Sequence, residues 1–78
     1  MREKKLYLVV TFHTTAAAMA MEKQCKAHGV PGRLGPIPRE LSSDCGMAWR
    51  APTACRAELE QIAANYDIEV QEFAEIRL

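Results

Sequence analysis

Leu6-Tyr7-Leu8-Val9-Val10-Thr11-Phe12, then His13-Thr14-Thr15 and an alanine-rich run from Ala16 to His28, sets the architecture of the whole chain. Leu6, Leu8, Val10 and Phe12 alternate with Lys5, Tyr7, Val9 and Thr11. A period of two in β-branched and aromatic residues predicts a strand. Both of its faces are apolar, which places it in the interior of a sheet rather than at an edge. Thr14 or Thr15 offers a hydroxyl to cap a helix, and Ala16 to His28 are good helix formers. Gly29 and then Pro31 supply the stop. Ala17, Met21, Cys25 and His28 share one face of this helix, while Glu22, Lys23 and Lys26 lie elsewhere on the wheel.

Outward from this unit, Gly32 to Gly35 predicts a short second strand. Pro36 and Pro38 follow it, and a residue that cannot donate to a ladder belongs at a sheet edge. Arg39 to Cys45 is polar and irregular, and Gly46 to Arg50 reads as a brief strand with Met47 and Trp49 on one face. Pro52 suits the first turn of a second helix, on which Cys55, Leu59, Ile62 and Tyr66 form an apolar stripe. Ile68, Val70, Ile76 and Leu78 keep one parity and Phe73 breaks it, predicting a bulge or bend in a last strand. The order β-α-β-β-α-β, with right-handed crossovers, predicts an α+β, ferredoxin-like sandwich. Its antiparallel sheet runs 4-1-3-2, with two helices on one face.

The chain has 78 residues, enough for one small domain over 1–78. Ten Lys plus Arg balance ten Asp plus Glu, so neither nucleic acid nor an anionic membrane is an expected partner. No apolar run approaches the ~20 residues that span a bilayer. Met1-Arg2-Glu3-Lys4-Lys5 leads into a strand-like run with no small-residue cleavage site, so the expectation is no signal peptide and a cytoplasmic location.

Cys25, Cys45 and Cys55 are three in number and form no Cys-x-x-Cys pair. Neither a disulfide framework, a metal site nor a cofactor is expected. Cys25 and Cys55 fall on the helix stripes and read as small core residues. Cys45 follows Ser42-Ser43-Asp44 and precedes Gly46 in the most polar part of the chain, where no periodicity asks for an apolar residue. Gly46 lets a partner backbone or a ligand come close to the sulfur. Arg33, Arg39 and Arg50 flank the loop in the expected fold. Two guanidinium groups near the sulfur would favour its charged form, for which a two-unit pKa fall needs about 2.7 kcal/mol. Asp44 opposes that effect. His13, at the end of the first strand, reads either as a binding or proton-transfer group or as a strand-end cap. Trp49 reads as core or interface. No Gly-rich phosphate loop, carboxylate pair or Ser-His-Asp order is present, so a carrier or binding module is expected rather than a stand-alone enzyme.

Four segments carry a resemblance over essentially the whole chain: Val10-Thr11-Phe12-His13-Thr14-Thr15, Met21-Glu22-Lys23, Gly32-Arg33-Leu34-Gly35-Pro36-Ile37-Pro38-Arg39-Glu40 and Ser42-Ser43-Asp44-Cys45-Gly46-Met47-Ala48-Trp49-Arg50. In these the chain resembles the selenium/sulfur carrier protein-like family, small bacterial and archaeal proteins associated with selenium and sulfur metabolism. The resemblance implies that Cys45 bears the chalcogen, with Arg33, Pro38, Arg39, Ser42, Gly46 and Arg50 around it. Cys25 and Cys55 match no functional position. On this reading Cys45 takes sulfur or selenium as a persulfide or selenosulfide from a donor such as a cysteine desulfurase and passes it to an acceptor protein. Ser42 and Ser43 can donate hydrogen bonds to the anion. A rival reading makes Arg33, Arg39 and the Ser42–Gly46 loop a site for a small anion or metabolite in a regulatory module. A third makes the chain an assembly partner docking a larger enzyme through its open sheet and edge strand; separately, a homodimer through the open sheet face would add stability to so small a domain.

Overall fold

The structure is a computed structural model that describes residues 4–78; the basic start at Met1 to Glu3 lies outside the described residues. The elements are β1 (Leu6–Thr11), α1 (Thr15–His28), β2 (Arg33–Pro36), β3 (Met47–Pro52), a 3-10 turn (Thr53–Cys55), α2 (Arg56–Asn65) and β4 (Glu72–Arg77). They make an α+β fold with one four-stranded antiparallel sheet in the order β2-β3-β1-β4. From the β4 edge this reads 4-1-3-2, with β1 inside and the proline-bearing β2 at an edge.

β1 is interior because both its faces are largely apolar: Leu8, Val9 and Val10 are fully buried, and the polar Thr11 is buried with them. Leu8 and Val10 face the helices. They meet Trp49 and Ala51 of β3, Ala18, Met21 and Cys25 of α1, and Leu59 and Ile62 of α2 in one core. α1 begins where Thr14 Oγ1 accepts from the Ala17 amide at 3.1 Å. It ends at Gly29, whose amide donates to the carbonyls of Cys25 and Lys26. The opposite sheet face carries no helix, yet Val9, Thr11 and Ala48 are buried there as well.

Three local expectations change. Pro52 is the last residue of β3, opposite Tyr7, because pairing with β1 continues that far. The second helix follows only from Arg56, after the 3-10 turn. Tyr66 caps that helix outside the stripe at 45% exposure, its hydroxyl 2.8 Å from His28 Nε2. β4 has no bulge: its register with β1 runs unbroken from Leu6↔Arg77 to Thr11↔Glu72. Phe73, opposite Val10, therefore faces the helices, and Ile76, opposite Tyr7, faces away. The parity of Ile68 and Val70 has no bearing on the strand, since both lie in the connection before it.

Trp49 is the largest fully buried side chain, and its indole lies against the backbone of Gly32. A Cβ at Gly32 would fall 2.5 Å from Trp49 Cε2, and the residue holds φ +156. Gly32→Ala is therefore expected to lose about 1–3 kcal/mol through overpacking and backbone strain. Gly35→Ala, whose Cβ meets nothing within 4 Å, should change stability by less than about 1 kcal/mol. Urea unfolding of both variants checks the packing, and equal losses would contradict it.

Candidate functional site

Ten residues, 37–46, connect β2 to β3, and backbone hydrogen bonds give this loop a fixed shape. The Ile37 amide donates to the Gly46 carbonyl at 3.2 Å, one step beyond the last ladder pair, Pro36↔Met47. A first turn closes with the Leu41 amide on the Pro38 carbonyl at 3.1 Å, a second with the Gly46 amide on the Ser43 carbonyl at 3.2 Å. Asp44 and Cys45 are the two central residues of that second turn. Gly46 holds φ +74, where an L side chain is strained, and open space lies where its Cβ would be. The turn thus needs this glycine, and the same residue leaves the approach beside Cys45 clear.

Side chains then fasten the turn to the end of β1. Ser43 Oγ lies 2.9 Å from the Phe12 carbonyl, 3.2 Å from the Met47 carbonyl and 3.5 Å from Cys45 Sγ. A hydroxyl has one proton, so Ser43 donates to one of these three at a time. Cys45 Sγ in turn lies 3.6 Å from the Met47 carbonyl, to which the thiol can donate. His13 Nδ1 is 2.7 Å from Asp44 Oδ2, with both side chains exposed. The carboxylate accepts, so Nδ1 carries the proton, and in the neutral ring Nε2 is the open acceptor. Gln71 closes the third side: its Oε1 accepts from the Asp44 amide at 3.1 Å, and its own amide donates to the Thr11 carbonyl at 2.8 Å.

His13, Ser43, Asp44, Cys45 and Gly46 are therefore one cluster. Asp44, read from the sequence as opposing a thiolate, turns its carboxylate to His13 instead. Gln71 went unread because 27 residues separate it from Asp44 and no local pattern marks it. Ser42 is exposed beside the turn, and Arg39 is exposed in the Pro38–Leu41 turn. Arg33 and Arg50 stand elsewhere. They are cross-strand partners, and Arg50 lies five residues beyond Cys45, about 16 Å along an extended chain at ~3.3 Å per residue. Their side of the sheet carries Val9 and Ala48, whereas Cys45 packs against the core on the helix side. Of the residues expected to form an anion site with the Ser42–Gly46 loop, Arg33 thus lies on the face of the sheet away from the core side on which Cys45 packs. Among the described residues no three His, Cys, Asp or Glu side chains form a metal-holding group, and no helix is long and apolar enough to cross a membrane.

A family model described as "Putative Se/S carrier protein-like" matches residues 7–75. No curated protein and no solved structure matches the chain. The matched span contains all three cysteines, and the fold separates them. Cys45 is half-buried at the surface turn, while Cys25 and Cys55 are in the core. Burial, and secondarily the nearby Cys55, pushes the Cys25 thiol from 9.0 up to about 11. Burial, then Glu58, raises Cys55 as well. The unfolded chain releases these protons near 9.0 and the folded one near 11 for Cys25. The contribution is thus complete below about pH 9 and is lost as pH rises towards 11. Stability followed by urea unfolding should fall over that interval, and Cys25→Ala, though less stable overall, should fall less steeply. An identical slope in the variant would contradict the assignment.

Proposed function

The chain belongs to the Se/S carrier protein-like family, and we propose that it carries sulfur or selenium on Cys45. The observation that carries this reading is the sorting of the three thiols: one at a pinned surface turn beside a hydroxyl and a side-chain-free glycine, two sealed in the core. The frame is ferredoxin-like, supported by element and strand order, with the 3-10 turn and the short β2 as local departures.

The chemistry is thiol–disulfide exchange applied to an outer chalcogen. The Cys45 thiolate attacks the outer sulfur of a donor persulfide, R–S–SH. A bond forms between Cys45 Sγ and that sulfur, the donor S–S bond breaks, and the donor leaves as R–S⁻. Delivery is the same step reversed: an acceptor thiolate takes the outer sulfur and Cys45 returns to the thiolate. No net oxidation occurs, and a selenosulfide, R–S–SeH, follows the same course. Ser43 can turn its proton from a backbone carbonyl to Sγ when the sulfur is charged, and hydrogen bonds to charged groups are the stronger kind. The donor is of the cysteine desulfurase type and the acceptor a second thiol protein. A cytoplasmic setting, where thiols stay reduced, suits this exchange.

Incubation with a cysteine desulfurase and cysteine, read by intact mass, tests the reading. The chain should gain one sulfur atom that a reductant removes, Cys45→Ser should gain none, and Cys25→Ala should gain it as the parent does. Ser43→Ala should accept sulfur about tenfold more slowly, for the loss of one hydrogen bond to a charged sulfur. Sulfur uptake by Cys45→Ser, or none by the parent chain, would contradict it.

A further inference from the structure

On the sheet face away from the helices, Arg33 of β2 and Arg50 of β3 stand directly opposite one another. Their Cβ atoms are held about 5 Å apart by the ladder, and like charges so placed repel. Among the described residues no carboxylate pairs with either, whereas Arg56 is bonded to both Glu60 and Glu75. Arg50 instead lies over the Tyr7 ring, 5.6 Å from its centre. Glu72 shares this face but sits on β4, two strands and about 10 Å from β3, and one row away, opposite Thr11. Arg33 and Arg50 both line a pocket of about 240 Å³, together with Val9, Ala48, Pro36 and Pro38. Val9 is fully buried and Ala48 only 3% exposed. Arginine stems covering apolar sheet explain that burial. They do not explain two cations in one row without a counter-ion.

We propose that the Arg33–Arg50 pocket is a binding site for a small dianionic oxyanion, a phosphate or phosphate monoester. Guanidinium forks match phosphate oxygens two at a time, and two of them on adjacent strands balance a double charge that one cannot. The apolar lining keeps competing water from part of the ion, which strengthens the attraction. The site is built independently of Cys45 and stands or falls apart from the carrier reading.

The test is titration of the full chain with inorganic phosphate, and separately with glycerol 2-phosphate, at constant ionic strength, followed by backbone amide NMR. Saturable shifts are expected at Leu34, Gly35 and Ala48, with Ser43 to Gly46 unmoved. Arg33→Gln and Arg50→Gln should each bind at least tenfold more weakly. Without ligand Arg33→Gln should melt no lower than the parent, since it relieves a like-charge contact. Arg50→Lys keeps the charge and loses the fork, and should also weaken binding. Tighter binding of the ester would mean that an organic group rests against Val9 and Ala48. Tighter binding of free phosphate would mean that the anion alone is held. Shifts that do not saturate, that acetate reproduces at equal ionic strength, or that survive in the arginine variants would overturn the proposal.

Discussion

Full burial of Leu8, Val9, Val10 and Thr11 holds β1 between β3 and β4, and both features of functional interest hang from that strand. Its C-terminal end offers the Phe12 carbonyl to Ser43 and, just beyond, His13 to Asp44. Its outer face offers Val9, beside Arg50, to the pocket that Arg33 also lines. A strand so enclosed cannot slip by one residue without exchanging its two faces. The turn at Cys45 and the arginine pair are therefore fixed relative to the core by the same register.

The turn itself is held by few bonds, each of modest net worth, about 0.5–1.5 kcal/mol, and several are exposed. Its definition comes from their convergence. The carbonyl of Phe12 just past β1, that of Met47 in β3, a histidine past the strand end and a glutamine before β4 all reach residues 43–45. That arrangement suits a thiol that must meet two partners in succession. The backbone is set, while Cys45 is half-buried and packs against the edge of the core. Cys25 and Cys55 show the contrast, since burial keeps both protonated in the range where an exposed thiol exchanges.

Much of this was legible in the residues. The two-faced apolar pattern of Leu6 to Phe12 placed β1 inside, Pro36 and Pro38 placed β2 at an edge, and Thr14 and Gly29 bounded α1. The misplaced boundaries came where tertiary pairing overrides local preference. Pro52, a good first-turn residue, is held in β3 by its place opposite Tyr7, and Phe73 needed only ordinary alternation once β4 began at Glu72. At the site, the polar surroundings of Cys45 were visible, but its fastening to His13 spans 31 residues and leaves no local trace. The separation of Arg50 from Cys45 did leave one. Met47 and Trp49 turned inward already put Arg50 on the other face, so the alternation of β3 argued against an arginine cradle for the sulfur.

The central claim is that the fold presents one thiol and withholds two. Alkylation of the native protein across pH, with each cysteine resolved by peptide mass spectrometry, tests it most directly. The account predicts rapid labelling of Cys45, with Cys25 and Cys55 reacting only through opening of the core, about a hundredfold slower or more. Comparable labelling of Cys25 or Cys55, or protection of Cys45 equal to theirs, would contradict it.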